Sequence, residues 1–252
     1  MIKVDLSLLW TIINLVVFYL LLKKFLFKPV MGIMEKREQM IANGLKNASD
    51  RQEEAEALKK EYPDAICSLT ARTPLQLLIA TRLSAQCTDA RVNLVTPALF
   101  ESYPTLDAFC EADREDVEEL IHSCGFYHGK ARDIIGMCRM IRSDFGGEVP
   151  DNIDDLIKLP GVGRKTANLI VGDVYKKPAV VTDTHLIRIS NRIGLVNTKD
   201  PKKVEFELKK ILPPDESNDF CHRVVLHGRE VCTARRAMCD KCCLSEFCKK
   251  KI

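Results

Sequence analysis

The string LPGVGRKTA, Leu159 to Ala167, limits this chain more than any other stretch, because it dictates a sharp reversal between two helices. Pro160-Gly161 ends a run of helical periodicity from Ile153 to Leu159, and a second run, Arg164 to Tyr175, starts at once. Gly161 and Gly163 can take positive φ and bring the backbone close to a ligand. The unpaired N–H groups that open the second helix, beside the positive end of its dipole, suit a DNA phosphate and read no base sequence. The same turn also serves as a plain linker, so the hairpin alone does not establish a function.

Lys165, in the first turn after the hairpin, adds chemistry. A cation at a helix N-terminus opposes the macrodipole, which makes it a costly place for a structural lysine. The same field, with partial burial, favours the free amine that Schiff-base chemistry needs. Further on comes VVTDTHLIRISNR, where Thr182 or Asp183 is a natural N-cap for a helix through Asn191. Asp183 reads either as that cap alone or as a carboxylate aimed at a developing positive charge.

The rest of the chain after Tyr62-Pro63 has the same texture. Leu75 to Leu83, Asp116 to Ser123 and Lys130 to Phe145 read as helices, punctuated by Gly125, Gly146-Gly147 and Pro178. No stretch alternates as a strand would, so the expected fold class is all-α. The net charge of +3 does not announce a nucleic-acid binder, and local patches must carry that argument. One such patch is the segment after Phe220, where Arg223, Arg229, Arg235, Arg236, Lys241, Lys249, Lys250 and Lys251 outnumber Glu230, Asp240 and Glu246.

Of the 11 cysteines, those from Cys232 to Cys248 crowd together, which suggests thiolate ligation in a reducing compartment rather than disulfides. Cys232, Cys239, Cys242 and Cys248 give C-x6-C-x2-C-x5-C, suited to a [4Fe–4S] cluster or to zinc. Zinc modules usually use two C-x2-C knuckles, so the spacing favours iron–sulfur modestly, and Cys243 is an alternative to Cys242. Cys67, Cys87, Cys110, Cys124, Cys138 and Cys221 fall mostly on apolar helical faces and read as small buried hydrophobes.

The N-terminus is of another kind. Leu6 to Leu22 is an uncharged apolar run of roughly 17 residues, near the lower limit for crossing a bilayer, and Phe25 to Phe27 lengthen it. A membrane tether through residues 6–27 is therefore expected. Lys23, Lys24, Lys28, Lys36 and Arg37 follow it, which places everything downstream in the cytoplasm. A polar helix from Met31 to Glu61 comes next. Residues 1–61, with LLLKKFLFKPV before a charged helix, resemble the b subunit of F-type ATP synthase, although that family's stalk is much longer.

Four motifs in order, LSAQCTD, GFYHGKA, LPGVGRKTA with TDTH beyond it, and C-x6-C-x2-C-x5-C, resemble the endonuclease III family. The likeness covers Leu58 to Lys250. It implies a helix-hairpin-helix six-helix barrel domain over 62–177 and an iron–sulfur cluster domain over 178–252, with part of 50–66 packed on the latter. It implies removal of oxidised pyrimidines from double-stranded DNA, then strand cleavage 3′ to the abasic site by β-elimination, by a catalytic part that is a monomer. By position, Lys165 would be the nucleophile that forms the imine and Asp183 the group that stabilises charge. Gln86 would fill the gap left by the extruded base, and Phe126 would part the neighbouring bases. Gly161, Gly163, Arg164 and His185 would contact DNA, and Cys232, Cys239, Cys242 and Cys248 would hold a [4Fe–4S] cluster. The first helix presents only Ala55, Leu58 and Tyr62, less apolar than is usual in the family, which predicts a less stable cluster domain. Adenine-mismatch glycosylases share the hairpin and the cluster but lack a lysine at the position of Lys165. The other readings are a non-catalytic DNA-binding module and, through residues 1–61, a membrane stator protein.

Overall fold

The computed structural model describes residues 6–24, 31 and 52–249. Its contacts divide the chain into two compact units, Met1–Glu53 and Glu54–Ile252. In the first, α1 runs from Leu6 to Leu22 and exposes Trp10, Leu15, Phe18 and Tyr19. At about 1.5 Å per residue this helix is about 25 Å long, against about 30 Å of hydrocarbon. Among the described residues no helix is long and apolar enough to cross a membrane. The expected span and tether are therefore not found, and the lengthening through Phe25 to Phe27 lies outside the described residues.

The second unit starts earlier than the expected boundary at 61–62, because α2, over 52–61, belongs to it. Glu54 and Leu58 of α2 are buried, and Tyr62 just beyond stacks edge-on against His227 with a 3.4 Å contact from its hydroxyl to Nδ1. Lys59 adds an ion pair to Glu216 at 2.8 Å. Lys59 and Tyr62 thus contact Glu216 and His227 of the C-terminal part of the chain.

Helices follow one another to the end: α3 Pro74–Leu83, α4 Asp89–Ser102, α5 Leu106–Cys110, α6 Arg114–Ile121, α7 Tyr127–Asp144, α8 Ile153–Leu156, α9 Arg164–Asp173, α10 Thr184–Ile193, α11 Pro201–Lys209 and α12 Ser217–Glu230. Among the described residues the one extended pairing is an isolated bridge between Cys232 and Ala237, so the all-α expectation holds. Caps set most of the starts. Thr73, Thr88, Thr105, Asp113, Asn152, Asp183 and Asp200 each accept a hydrogen bond from a first-turn N–H. The apolar run of α3 buries Leu77, Leu78, Ile79, Ala80 and Leu83, and this helix packs against α4, α7 and α9. The stripe Ala131, Ile134, Cys138 and Ile141 of α7 faces α5 and α6. At the other end α12 packs on α10 and reaches α9. Cys110, Cys124, Cys138 and Cys221 are buried as expected, whereas Cys67 and Cys87 are half-buried.

Candidate active site and cysteine cavity

The hairpin between α8 and α9 lies directly on an ion pair. Arg82 of α3 donates to Asp133 of α7 through Nη2 at 2.7 Å and Nε at 3.1 Å. Gly161 has φ +73°, and a Cβ there would meet Arg82 Nε at 2.4 Å and Asp133 Oδ2 at 2.8 Å. Both the conformation and the close approach demand glycine. Gly163 does not use that freedom: its φ is −93°, extended backbone open to any residue, and no atom lies within 4 Å of where its Cβ would be. Its side is simply clear. As residue before α9 it offers no side-chain cap, so the N–H groups of the first turn remain available to a ligand.

Arg164 does not join them. Its guanidinium grips the fully buried Glu205 of α11 with Nε to Oε2 at 2.6 Å and Nη2 to Oε1 at 2.8 Å, and covers the Phe206 ring. The guanidinium expected to contact DNA here ties α9 to α11. Lys209 holds Glu205 from the other side at 2.7 Å. Burial works to raise the Glu205 carboxyl, but the hydrogen bonds of Arg164 and Lys209 outweigh it and hold it below its usual value.

Lys165 is exposed, without the partial burial anticipated, and makes no hydrogen bond or ion pair among the described residues. It lines a cavity of about 120 Å³ together with Asp183, Thr81, Ser84, Asp89, His222 and Arg229. Asp183 is half-buried at the start of α10, where Oδ1 accepts from Leu186 N at 2.7 Å. One carboxylate oxygen is thus spent on the cap, and the carboxylate still faces the lysine's cavity, so cap and charge partner are the same group. Asp89 and Arg229 join opposite walls at 2.9 Å, and Arg229 also reaches Ser68 Oγ at 3.2 Å. His222 is fixed by Asp173, Nε2 to Oδ1 at 2.7 Å. Sequence reasoning missed Asp89, His222 and the pairing of Arg229, because nothing in their spacing reveals that they meet.

Gln86 and Phe126 are both exposed, Phe126 at 74%, which rules out a core aromatic. Both have left-handed backbone, φ 54° and 48°. His185 is half-buried beside Gly228, where a Cβ would meet Nδ1 at 2.6 Å, and Arg188 Nη2 contacts the same nitrogen at 3.2 Å. Burial lowers its pKa, Asp183 opposes that, and Arg188 and Arg229 add to it, so the ring is a neutral hydrogen-bonding group. Two members of the expected C-terminal basic patch are paired with carboxylates. Arg223 is buried against Glu216 and Asp219, Arg229 is paired with Asp89, and Lys250 and Lys251 lie outside the described residues.

A second cavity, almost wholly apolar, is ringed by Cys232, Cys239, Cys242 and Cys248 with Ile189, Ile193 and Leu244. Cys243 is not on it, which separates it from Cys242. Arg192 Nη1 lies 3.2 Å from Cys232 Sγ, His227 Nε2 is 3.3 Å from Cys242 Sγ, and Cys248 Sγ approaches Arg192 O at 3.6 Å. Among the described residues no three His, Cys, Asp or Glu side chains are gathered as ligands of a single metal ion would be.

The family model described as "HhH-GPD superfamily base excision DNA repair protein" matches residues 79–214. Endonuclease III of Synechocystis sp. is 49% identical over 207 residues, 81% of this chain and 94% of that protein. The chain belongs to the endonuclease III family. It is a base excision repair DNA glycosylase. Endonuclease III of Escherichia coli is 37% identical over 205 residues, 81% of this chain and 97% of that protein. A solved non-covalent endonuclease III–DNA complex superposes with a TM-score of 0.74 at 44% identity, over 78% of this chain and 92% of that one. A trapped endonuclease III–DNA covalent intermediate matches with the same TM-score of 0.74. A separate model, ATP synthase B/B′ CF(0), matches residues 7–76. That match agrees with the b-subunit likeness of the N-terminus, and it runs on into Leu58 and Tyr62, which are buried in the second unit.

Proposed function

We propose that this chain excises oxidised pyrimidines from double-stranded DNA and cleaves the abasic strand through a Schiff base on Lys165. The observation that carries the reading is an exposed, unpartnered amine sharing one cavity with the Asp183 carboxylate. The neutral amine attacks C1′ of the extruded nucleotide, the bond from C1′ to the base breaks, and the base leaves with a proton passed on from the amine. The amine then passes its remaining proton to O4′ as the sugar ring opens to the imine. Loss of a proton from C2′ expels the 3′-phosphate by β-elimination, and water hydrolyses the imine to free Lys165. The Asp183 carboxylate, at a helix N-terminus, stabilises the positive charge that develops at C1′. Gln86 and Phe126 fill and wedge the stack from two exposed loops. The N–H groups opening α9, beside Gly161 and Gly163, hold a phosphate, and His185 supports Asp183 or the DNA backbone as a neutral ring.

Cys232, Cys239, Cys242 and Cys248 fit a [4Fe–4S] cluster. Four soft ligands ring one apolar cavity without converging on a point, and Arg192 and His227 stand ready to donate to their sulfurs. When bound, the cluster supplies a cross-link that fixes the C-terminal segment beside α10 and α12.

Borohydride reduction in the presence of abasic-site duplex tests the Lys165 assignment. The parent should become covalently linked to DNA, Lys165→Ala should not, and Asp183→Asn should be trapped at least about 100-fold more slowly. Trapping of Lys165→Ala at the parent rate would leave only a DNA-binding helical module.

A further inference from the structure

The buried cation of the barrel is Lys130, not Lys165. Lys130 is 1% exposed, one turn into α7, and Nζ donates to two backbone carbonyls, Leu83 O at 2.8 Å and Cys124 O at 2.9 Å. Leu83 is the last residue of α3, and Cys124 ends a short 3-10 helix over His122–Cys124. Both carbonyls belong to helix ends, where the backbone has no partner of its own. An ammonium there satisfies them and meets the negative end of the α3 dipole.

These two carbonyls stand at the roots of the two loops that carry Gln86 and Phe126. Gln86 follows Leu83 after one turn, and Phe126 follows Cys124 across Gly125, which has φ +69°. Among the described residues the non-glycine residues with positive φ are Gln86, Phe126 and Lys176, so two of these strained positions sit on the loops that Lys130 joins. Left-handed backbone at a non-glycine residue persists only where its surroundings over-determine it. Neither exposed side chain makes a hydrogen bond that would do so, and the loop roots must therefore supply the constraint. Burial pushes the Lys130 amine down, while the thiols of Cys87 and Cys124, one from each loop, pull it back, which places both loops around the same nitrogen.

We infer that Lys130 is a positioning residue that sets the spacing of Gln86 and Phe126, so that gap filling and wedging occur together in duplex DNA. The inference rests on the proposed roles of those two residues, but it concerns access to the extruded sugar and not the imine chemistry. Single-stranded DNA offers no stack to open, so it should not need the device.

Borohydride trapping is therefore measured under single-turnover conditions on an abasic site in duplex and in single-stranded DNA. For Lys130→Met the duplex concentration giving half-maximal trapping should rise at least tenfold. The maximal rate, and trapping on the single strand, should stay within about twofold of the parent. Lys130→Gln, which keeps an N–H donor, should show the same selective loss at smaller amplitude, and it carries the test if the Met variant does not fold. In a Gln86→Ala/Phe126→Ala background the Lys130 substitution should add nothing further. Equal losses on both DNAs in the folded variant, or a full additional loss in the double-variant background, would reduce Lys130 to a general core residue. Failure of the parent to be trapped on duplex would instead count against Lys165 and leave Lys130 unimplicated.

Discussion

Two glycines of one hairpin do different work, and the difference is measurable. Gly161 combines φ +73° with a Cβ position 2.4 Å from Arg82 Nε, so Gly161→Ala must both strain its own backbone and displace the Arg82–Asp133 pair. The left-handed conformation alone costs about 1–2 kcal/mol in an L-residue, and disturbing the ion pair adds to it. Thermal melting of Gly161→Ala should therefore show a loss of about 2–4 kcal/mol. Gly163→Ala meets no neighbour and has an ordinary φ, so its stability should stay within about 0.5 kcal/mol of the parent. What the added methyl would occupy is the open space in front of the α9 N–H groups. Gly163→Ala should accordingly weaken DNA binding without lowering the melting temperature. A variant that melts early but binds normally would show that this space is not where phosphate sits. In the sequence both positions read alike, as glycines that could take positive φ and bring the backbone near a ligand. It did not distinguish a glycine required by the fold from one required by a ligand, because that depends on what the rest of the chain places beside each Cα.

At the scale of elements, Glu205 links α9 and α11 with no exposed surface of its own, between Arg164 and Lys209. Its folded carboxyl titrates below its ordinary value of 4.5, so the stabilisation is complete above that pH. It drains away as the pH falls from there through the lower folded value. Glu205→Gln removes the linked proton, and its melting temperature should fall less steeply than the parent's on acidification. At neutral pH the same substitution should cost about 2 kcal/mol, less than a fully buried pair because both basic partners are 30% exposed. Parallel acid melting curves would show that other carboxylates govern the acid transition. This link was hidden in the sequence, where Arg164 read as a DNA contact because it sits beside the hairpin. The elements themselves were unevenly legible. The helices later found as α3, α7 and α9 follow from their apolar spacing and punctuation, and Asp183 from its cap position. The helix over Asp89–Ser102 did not stand out, because Pro97 interrupts it and its apolar spacing is irregular. Ser217–Glu230 begins without a side-chain cap and has Gly228 near its end, which obscured it as well. Lys130 left no trace at all, since a lysine opening an amphipathic helix ordinarily marks the solvated face.

At the scale of the whole chain the decisive boundary falls between Glu53 and Glu54, not at the change of texture after Tyr62. The shift has a physical cause. Leu58 is fully buried, Tyr62 covers His227, and His227 in turn touches the Cys242 sulfur, so α2 reaches the cysteine cavity in two steps. Residues that resemble an ATP synthase stalk thus complete the repair unit. Two truncations separate these roles. A chain beginning at Asp50 keeps all of α2 and should match the full chain in trapping abasic-site DNA and in melting temperature. A chain beginning at Tyr62 loses Leu58, worth about 2–3 kcal/mol by its burial, and frees the ring of Tyr62 from the helix that aims it at His227. It should melt lower, and once loaded with the proposed iron–sulfur cluster it should lose that cluster's visible absorbance on heating before the chain beginning at Asp50 does. The loops of Gln86 and Phe126 and Lys165 itself lie away from α2 in sequence, so trapping at low temperature should persist in both. If both truncations lost the cluster at one temperature, α2 would be dispensable to the cysteine cavity. The apolar contact through Tyr62 and His227 would then be packing without consequence for the site.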